Sequence, residues 1–459
     1  MTGEGLYCPA GDFYLDPWRP VPRAIITHGH SDHARAGHGA YLTHPETAAI
    51  LQHRLGWGKG GWDGATESDR SAEAGPWATA ERNIGQTFAQ SSLGTSPERP
   101  LVQTIGYGKT LTVNGVRVTL YAAGHIPGSA QVLVEHQGDR WVFSGDYFCT
   151  ATDGKLQSDA GDRFCAPFES VPCRVFITES TFGLPVYRWP NPAGEFAALH
   201  RWWADNQRAG RCSVLIGYSL GKAQRLLHGL DAGQGPIYGH GAVRTITDII
   251  RGLGYSLPEL LPIDDAFRGG APGKALGKEP GQKQGKDLGQ EPGGALGKEP
   301  GQKQGKEFAG AMVIAPPGAM DSPWMKRLEP YSLAFASGWM RMRGPRRRHA
   351  ADRGFVLSDH ADWDGLNAAV QASGAERVLV THGFAEPFSR WLREQGLDAA
   401  PLQTLFEGES GEIREGRALT EEPSPELDRV QSAHDPESSE SLESSEDPDR
   451  ADSPQPPKP

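Results

Sequence analysis

The chain has 459 residues, of which 22% are charged and 37% hydrophobic, and a formal net charge of −11. That length allows two or three domains of ordinary size, and no apolar run approaches the ~18 residues that a membrane-crossing helix needs. With 59 glycines and 36 prolines, part of the chain is expected to be linker.

The charge is unevenly spread: residues 421–459 carry twelve acidic groups against three basic, so the remainder is close to neutral. A nearly neutral body does not exclude a polyanionic substrate, because local field matters more than net charge. Five cysteines without a C-x-x-C pair argue against a disulfide framework or a cysteine-based zinc finger and suit a reducing compartment. The N-terminus lacks the basic and apolar regions of a secretory signal, so a cytoplasmic protein with no membrane partner is expected.

In chain order, residues 23–27 are short and rich in β-branched side chains and predict a strand. Residues 57–100, rich in Gly, Ser, Ala and Glu, predict a long loop. Segments 116–121, 131–135, 140–144 and 175–178 read as further strands. Residues 195–208 place Phe196, Leu199, Trp202 and Trp203 on one helical face, as core rather than as a ligand platform. A strand at 213–216 and a helix at 243–253 follow. Residues 275–286, ALGKEPGQKQGK, recur in full at 295–306. Two copies rich in Gly and Pro and poor in apolar residues make neither a helix nor a solenoid, so 268–307 is expected to be a disordered surface insertion. A helix at 363–372, a strand at 377–381 and a disordered acidic tail at 420–459 complete the reading. Strands that dominate early and alternate with helices later predict a layered α/β protein.

The sharpest chemical signal is His28-Gly29-His30-Ser31-Asp32-His33, directly after the first of these strands. Three imidazoles and a carboxylate this dense cannot all serve a core, because each would need its own partner if buried. A divalent metal satisfies them together. His125 in a glycine-rich turn, Asp146 in Ser-Gly-Asp and His382 in Thr-His-Gly also follow predicted strands.

The order HGHSDH, AGH, SGD and THG resembles the metallo-β-lactamase fold, an αββα sandwich. That resemblance implies one metal on His28, His30 and His125, a second on Asp32, His33 and His382, and Asp146 bridging. It implies two divalent ions, zinc first and manganese as the alternative. Glu179 in Thr-Glu-Ser-Thr, Ser337-Gly338-Trp339 and His360 in Ser-Asp-His-Ala-Asp resemble the β-CASP branch, the nucleic-acid nucleases with an extra domain inserted. There His360 would be the general acid and Glu179 the group that orients it, with Asp32 also part of the catalytic set.

Residues 5–18, 181–189, 219–225 and 357–363 further resemble the bacterial ligase-associated DNA exonucleases, implying DNA repair, with an ATP-dependent DNA ligase and a helicase as candidate partners. His382 in turn resembles RNA-processing members, since eukaryotic DNA-acting ones typically carry valine there. DNA is therefore expected ahead of RNA. Arg341, Arg343, Arg346, Arg347 and Arg348 form a basic run suited to phosphate contact, and Lys222, near a glycine turn, is a second candidate. The expected organisation is a metallo-β-lactamase domain in two parts, 1–185 and 346–419, flanking a β-CASP domain at 186–345, with the tail at 420–459.

Overall fold

The computed structural model describes residues 1–57, 77, 100–157, 164–263, 306–342 and 351–406. Most of the 57–100 segment, the repeat insertion as far as residue 305, Arg343, Arg346, Arg347 and Arg348, and the acidic tail lie outside the described residues.

A first sheet is built in chain order from β1 (Leu6–Cys8), β2 (Phe13–Leu15), β3 (Arg23–Ile25), β4 (Ala40–Thr43) and β5 (Leu101–Thr104). The chain then lays down β6 (Thr110–Val113), β7 (Val116–Ala122), β8 (Ala130–His136) and β9 (Asp139–Phe143) as antiparallel neighbours. A small hairpin, β10 (Ala151–Thr152) with β11 (Lys155–Leu156), precedes β12 (Val175–Thr178). Much later β19 (Arg377–Val380) and β20 (Asp398–Pro401) complete a seven-stranded second sheet of order β20-β19-β12-β9-β8-β7-β6.

Strand alternation sorts the side chains into layers. Val175 and Ile177 point inward to meet Ile25, Leu42, Val118 and Leu120 between the two sheets. Phe176 points outward with Val142, Val378 and Val380, under α6 (Trp363–Ser373) and α7 (Ala385–Glu394). Ala24 and Ile26 face the other way, onto Ala48 and Leu51 of α1 (Pro45–Arg54). The result is a helix–sheet–sheet–helix sandwich.

Between β12 and α6 the chain makes a separate sheet, β13 (Cys212–Ile216), β14 (Ile237–Gly239), β15 (Leu261–Pro262), β16 (Met312–Ala315), β17 (Tyr331–Ala336) and β18 (Arg353–Phe355). Its order is β15-β14-β16-β13-β17-β18, and every pairing is parallel. One face packs on α2 (Pro192–Arg208), α3 (Lys222–His228) and α4 (Gly241–Gly252) through Leu199, Leu226 and Val243. The other carries Val214, Val313 and Phe335, with Met325 of the short α5 (Pro323–Lys326). A sheet covered on both faces explains why all five residues of β13, CSVLI, are buried, with Ser213 alone polar.

The predicted strands and helices occur with their ends moved by a few residues at most. Caps account for the shifts. Helix α2 starts early because Asn191 accepts a bond from the Ala193 amide at 2.9 Å and Pro192 suits the first turn. Trp202 and Trp203 are buried in the core, as expected. The predicted loop at 57–100 has at least one internal anchor: Trp77 sits in the sandwich core and donates its indole N–H to the Tyr41 carbonyl at 3.2 Å. Among the described residues no helix is long and apolar enough to cross a membrane.

Candidate metal centre

Strand direction gathers the site. β9, β12 and β19 are mutually parallel, and β7 runs with β9 because each is antiparallel to β8. The ends of β7, β9, β12 and β19 therefore release His125, Asp146, Glu179 and His382 along one edge, and the turn after β3 brings His28, His30, Asp32 and His33 to the same edge. Two glycines permit the crowding. Gly145 has φ 54°, and a Cβ there would lie 2.7 Å from Thr27 Oγ1; Gly124 has φ 76°, and its Cβ would lie 2.3 Å from the Phe148 carbonyl.

The side chains form two donor sets. One ligand atom each from His28, His30, His125 and Asp146 lie within 4.8 Å of one another, and so do those of His33, Asp146 and His382. Asp146 belongs to both. Its Oδ2 is 3.6 Å from His28 Nε2, while its Oδ1 is 3.4 Å from His33 Nε2 and 2.8 Å from His382 Nε2. Asp32 stands at the rim of the second set, its Oδ2 3.7 Å from His33 Nε2.

Each imidazole is fixed with one ring nitrogen facing inward, and the network dictates this. His125 donates Nδ1–H to the Asp359 carbonyl at 2.7 Å, and His30 donates Nε2–H to the Leu220 carbonyl at 3.2 Å. His33 donates Nδ1–H to Asp16 Oδ2 at 2.7 Å. Thr27 gives its hydroxyl proton to Asp16, so its oxygen accepts from His28 Nδ1 at 3.0 Å. Thr381 gives its proton to the Thr178 carbonyl, so it accepts from His382 Nδ1 at 3.2 Å. Backing of this kind orients metal-binding histidines.

Electrostatics agree. Burial, together with the neighbouring imidazoles, holds His28 and His125 well below 6.5, and burial also lowers His30, so all are neutral. Burial opposes charge on His33 too, but Asp146 and Asp32 outweigh it and raise its pKa well above 6.5. The corner thus attracts a cation. His33 Nε2, Asp146 Oδ1 and His382 Nε2 are buried with no hydrogen-bond partner. Unpartnered ring nitrogens and a carboxylate oxygen, all aimed inward, fit a divalent metal site, whose binding would displace the proton from His33.

Beside the metal sets lies a second unit. Glu179, fully buried, accepts from the Tyr147 amide at 2.9 Å and the Thr181 amide at 3.1 Å. Its carboxylate holds His360 Nδ1 at 2.9 Å. Burial alone would lower the His360 pKa, but the Glu179 charge and hydrogen bond raise it to about 10. His360 is thus a buried imidazolium 4.5 Å, ring centre to ring centre, from His125.

Lys222 departs from expectation. It is not at the surface to meet a phosphate: it is 0% exposed, ion-paired with Asp359 and 3.4 Å from the Leu357 carbonyl. Gly221, at φ 82°, turns the first residues of α3 down onto the site loops. Arg341 is exposed at the end of the 3-10 turn Gly338–Arg341.

Asp16, which sequence reasoning did not single out, backs two of the clustered histidines. It accepts from His33, the Thr27 hydroxyl and the Thr27 amide, so it orients His33 directly and His28 through Thr27. Replacing Asp16 with alanine should weaken metal binding about 10–100-fold, measured by competition with a chromophoric chelator; unchanged affinity would remove it from this role.

Comparison with known proteins adds the family. A profile of the metallo-beta-lactamase superfamily matches residues 11–202. Over 397 residues, 86% of this chain, the sequence is 28% identical to a probable DNA ligase of Opitutus terrae, of which the match covers 30%. It is 36% identical over 135 residues to an endoribonuclease ysh1 of Aspergillus fumigatus, covering 29% of this chain and 14% of that one. It is 31% identical over 147 residues to cleavage and polyadenylation specificity factor 73 of Drosophila melanogaster, covering 31% and 19%. The chain spans less than a third of the length of each of these relatives. The chain therefore carries a metallo-beta-lactamase domain, matched over residues 11–202, with a parallel α/β sheet inserted between β12 and α6.

Proposed function

We propose that this chain is a two-metal phosphodiesterase that removes nucleotides from the ends of DNA, in repair alongside an ATP-dependent DNA ligase. The observation that carries the reading is one carboxylate, Asp146, common to two imidazole sets, with the His360–Glu179 pair next to them. His28, His30, His125 and Asp146 would hold one ion, and Asp32, His33, His382 and Asp146 the other. Zinc suits such ligands, and manganese is the alternative. When bound, two divalent ions would supply an activated nucleophile and neutralise charge on the phosphoryl group.

The protein's own part is proton delivery. Glu179 holds the Nδ1 proton of His360, which leaves the Nε2 proton for the sugar oxygen that departs. The raised pKa keeps that proton in place at neutral pH. Arg341, with Arg343, Arg346, Arg347 and Arg348, would contact the phosphate backbone, giving affinity without base readout.

DNA is favoured because the relative named as a DNA ligase is similar over 86% of this chain, against 29% and 31% for the two RNA-processing relatives. An RNA 3′-end-processing reading is supported by those relatives and by His382. Matched DNA and RNA strands labelled at one end discriminate the two. DNA should be shortened at least about tenfold faster, a difference of about 1.4 kcal/mol in barrier; faster trimming of RNA would reverse the assignment.

A further inference from the structure

The metal sets lie at the edge of the sandwich, yet several of the contacts that orient them come from the inserted sheet. Residues 220–225, which follow β13, reach across to four of the site loops. The Leu220 carbonyl takes the Nε2 proton of His30 at 3.2 Å. Arg225, 5% exposed, donates from Nη2 to the carbonyls of Gly124 at 3.0 Å and His125 at 3.1 Å. Its guanidinium also lies 4.4 Å over the Phe148 ring, two residues past Asp146. Lys222 pairs with Asp359, whose carbonyl fixes the His125 ring and whose next residue is His360.

The approach is close. A Cβ at Gly221 would lie 2.2 Å from Ile126 Cγ2 and 3.7 Å from Asp359 Oδ2, so this segment has no slack against the His125 turn. By contrast His28 and the second set are backed from within the sandwich, His28 by Thr27, His33 by Asp16, and His382 by Thr381 and Thr178, so that in the first set it is His30 and His125 that lean on these outside contacts. The two donor sets therefore differ in what holds them.

We propose that Arg225 and Lys222 are positioning residues for the His28/His30/His125 metal subsite, so that this subsite reaches full affinity only with the inserted domain docked, while the His33/His382 subsite does not need it. The inference rests on reading the cluster as a two-metal site. By linkage, metal in the first subsite tightens docking of the inserted domain by the same factor that docking tightens the metal. Any opening of the inserted domain for a nucleic-acid end would then loosen that ion in particular.

The test is stepwise zinc affinity, measured by chelator competition on full-length wild type, Arg225→Met, and the double variant Lys222→Met with Asp359→Asn, which leaves no lone buried charge. Circular dichroism and melting of the metal-free proteins establish folding. The expected result is about a 10–100-fold loss for one ion, with the other within about twofold of wild type. Restoring the charge with Arg225→Lys should recover part of the loss, which a mere packing defect would not. A folded variant that keeps wild-type affinity for both ions, or weakens both equally, overturns the proposal. If Arg225→Met does not fold, the double variant decides by the same criterion. Wild type holding only one ion would refute the two-metal reading instead, and the proposal would then stand or fall on whether that ion weakens in the variants.

Discussion

Asp146→Asn is expected to cut phosphodiester hydrolysis by at least about 10³-fold, about 4 kcal/mol of transition-state stabilisation, and to leave fewer than two ions per chain. Among the described residues Asp146 is the carboxylate common to both imidazole sets. Its two oxygens face different sets, Oδ2 toward His28 and Oδ1 toward His33 and His382. An asparagine keeps the shape but offers one oxygen and no charge, so one set loses its carboxylate and both lose the shared anion. The charge also matters before any metal arrives. Burial opposes ionisation of Asp146, but His33 and His382 outweigh it and hold the carboxylate well below 3.8. Turnover and elemental metal content on the same preparation check this, with circular dichroism as the fold control. A variant that retains two ions and normal turnover would end the bridging role.

The clustering of the candidate ligands was legible because the chemistry is local. HGHSDH packs three imidazoles and a carboxylate into one turn, and each later ligand follows a short β-branched strand. That those strands point the same way follows from hairpins and parallel crossovers, which set β7, β9, β12 and β19 in one direction. What backs the ligands was not legible. Asp16 is a single carboxylate after a three-residue strand, at φ 39°, and nothing around it in sequence says that His33 will be its partner. Lys222 misled for the same reason. A lysine beside a glycine turn reads as a phosphate contact until the fold brings Asp359 to it from across the inserted domain. Ion-pair partners far apart in sequence depend on tertiary packing, and composition or spacing carries no trace of them. One strand of the inserted sheet was legible: β13 stood out at 213–216, whereas β14 and β15 are too short to stand out.

His360→Asn should separate proton delivery from metal chemistry. On DNA the rate is expected to fall about 10²–10⁴-fold, the usual contribution of a positioned acid. On a nitrophenyl phosphodiester, whose leaving group departs without a proton, it should change less than about tenfold, because the step that His360 serves is absent. Metal content should stay at the wild-type value. That last point is diagnostic, because His360 also lies within ligand distance of Asp146 and Glu179, and of His125 and Asp359. A ligand role and an acid role therefore make opposite predictions. If His360 held an ion, both substrates would slow together and metal would be lost. The geometry favours the acid, since the buried Glu179 carboxylate takes Nδ1 at 2.9 Å and favours the protonated ring. Glu179→Gln should reproduce the same split in milder form. The glutamine can still accept from Nδ1, but it no longer carries the charge that keeps His360 protonated.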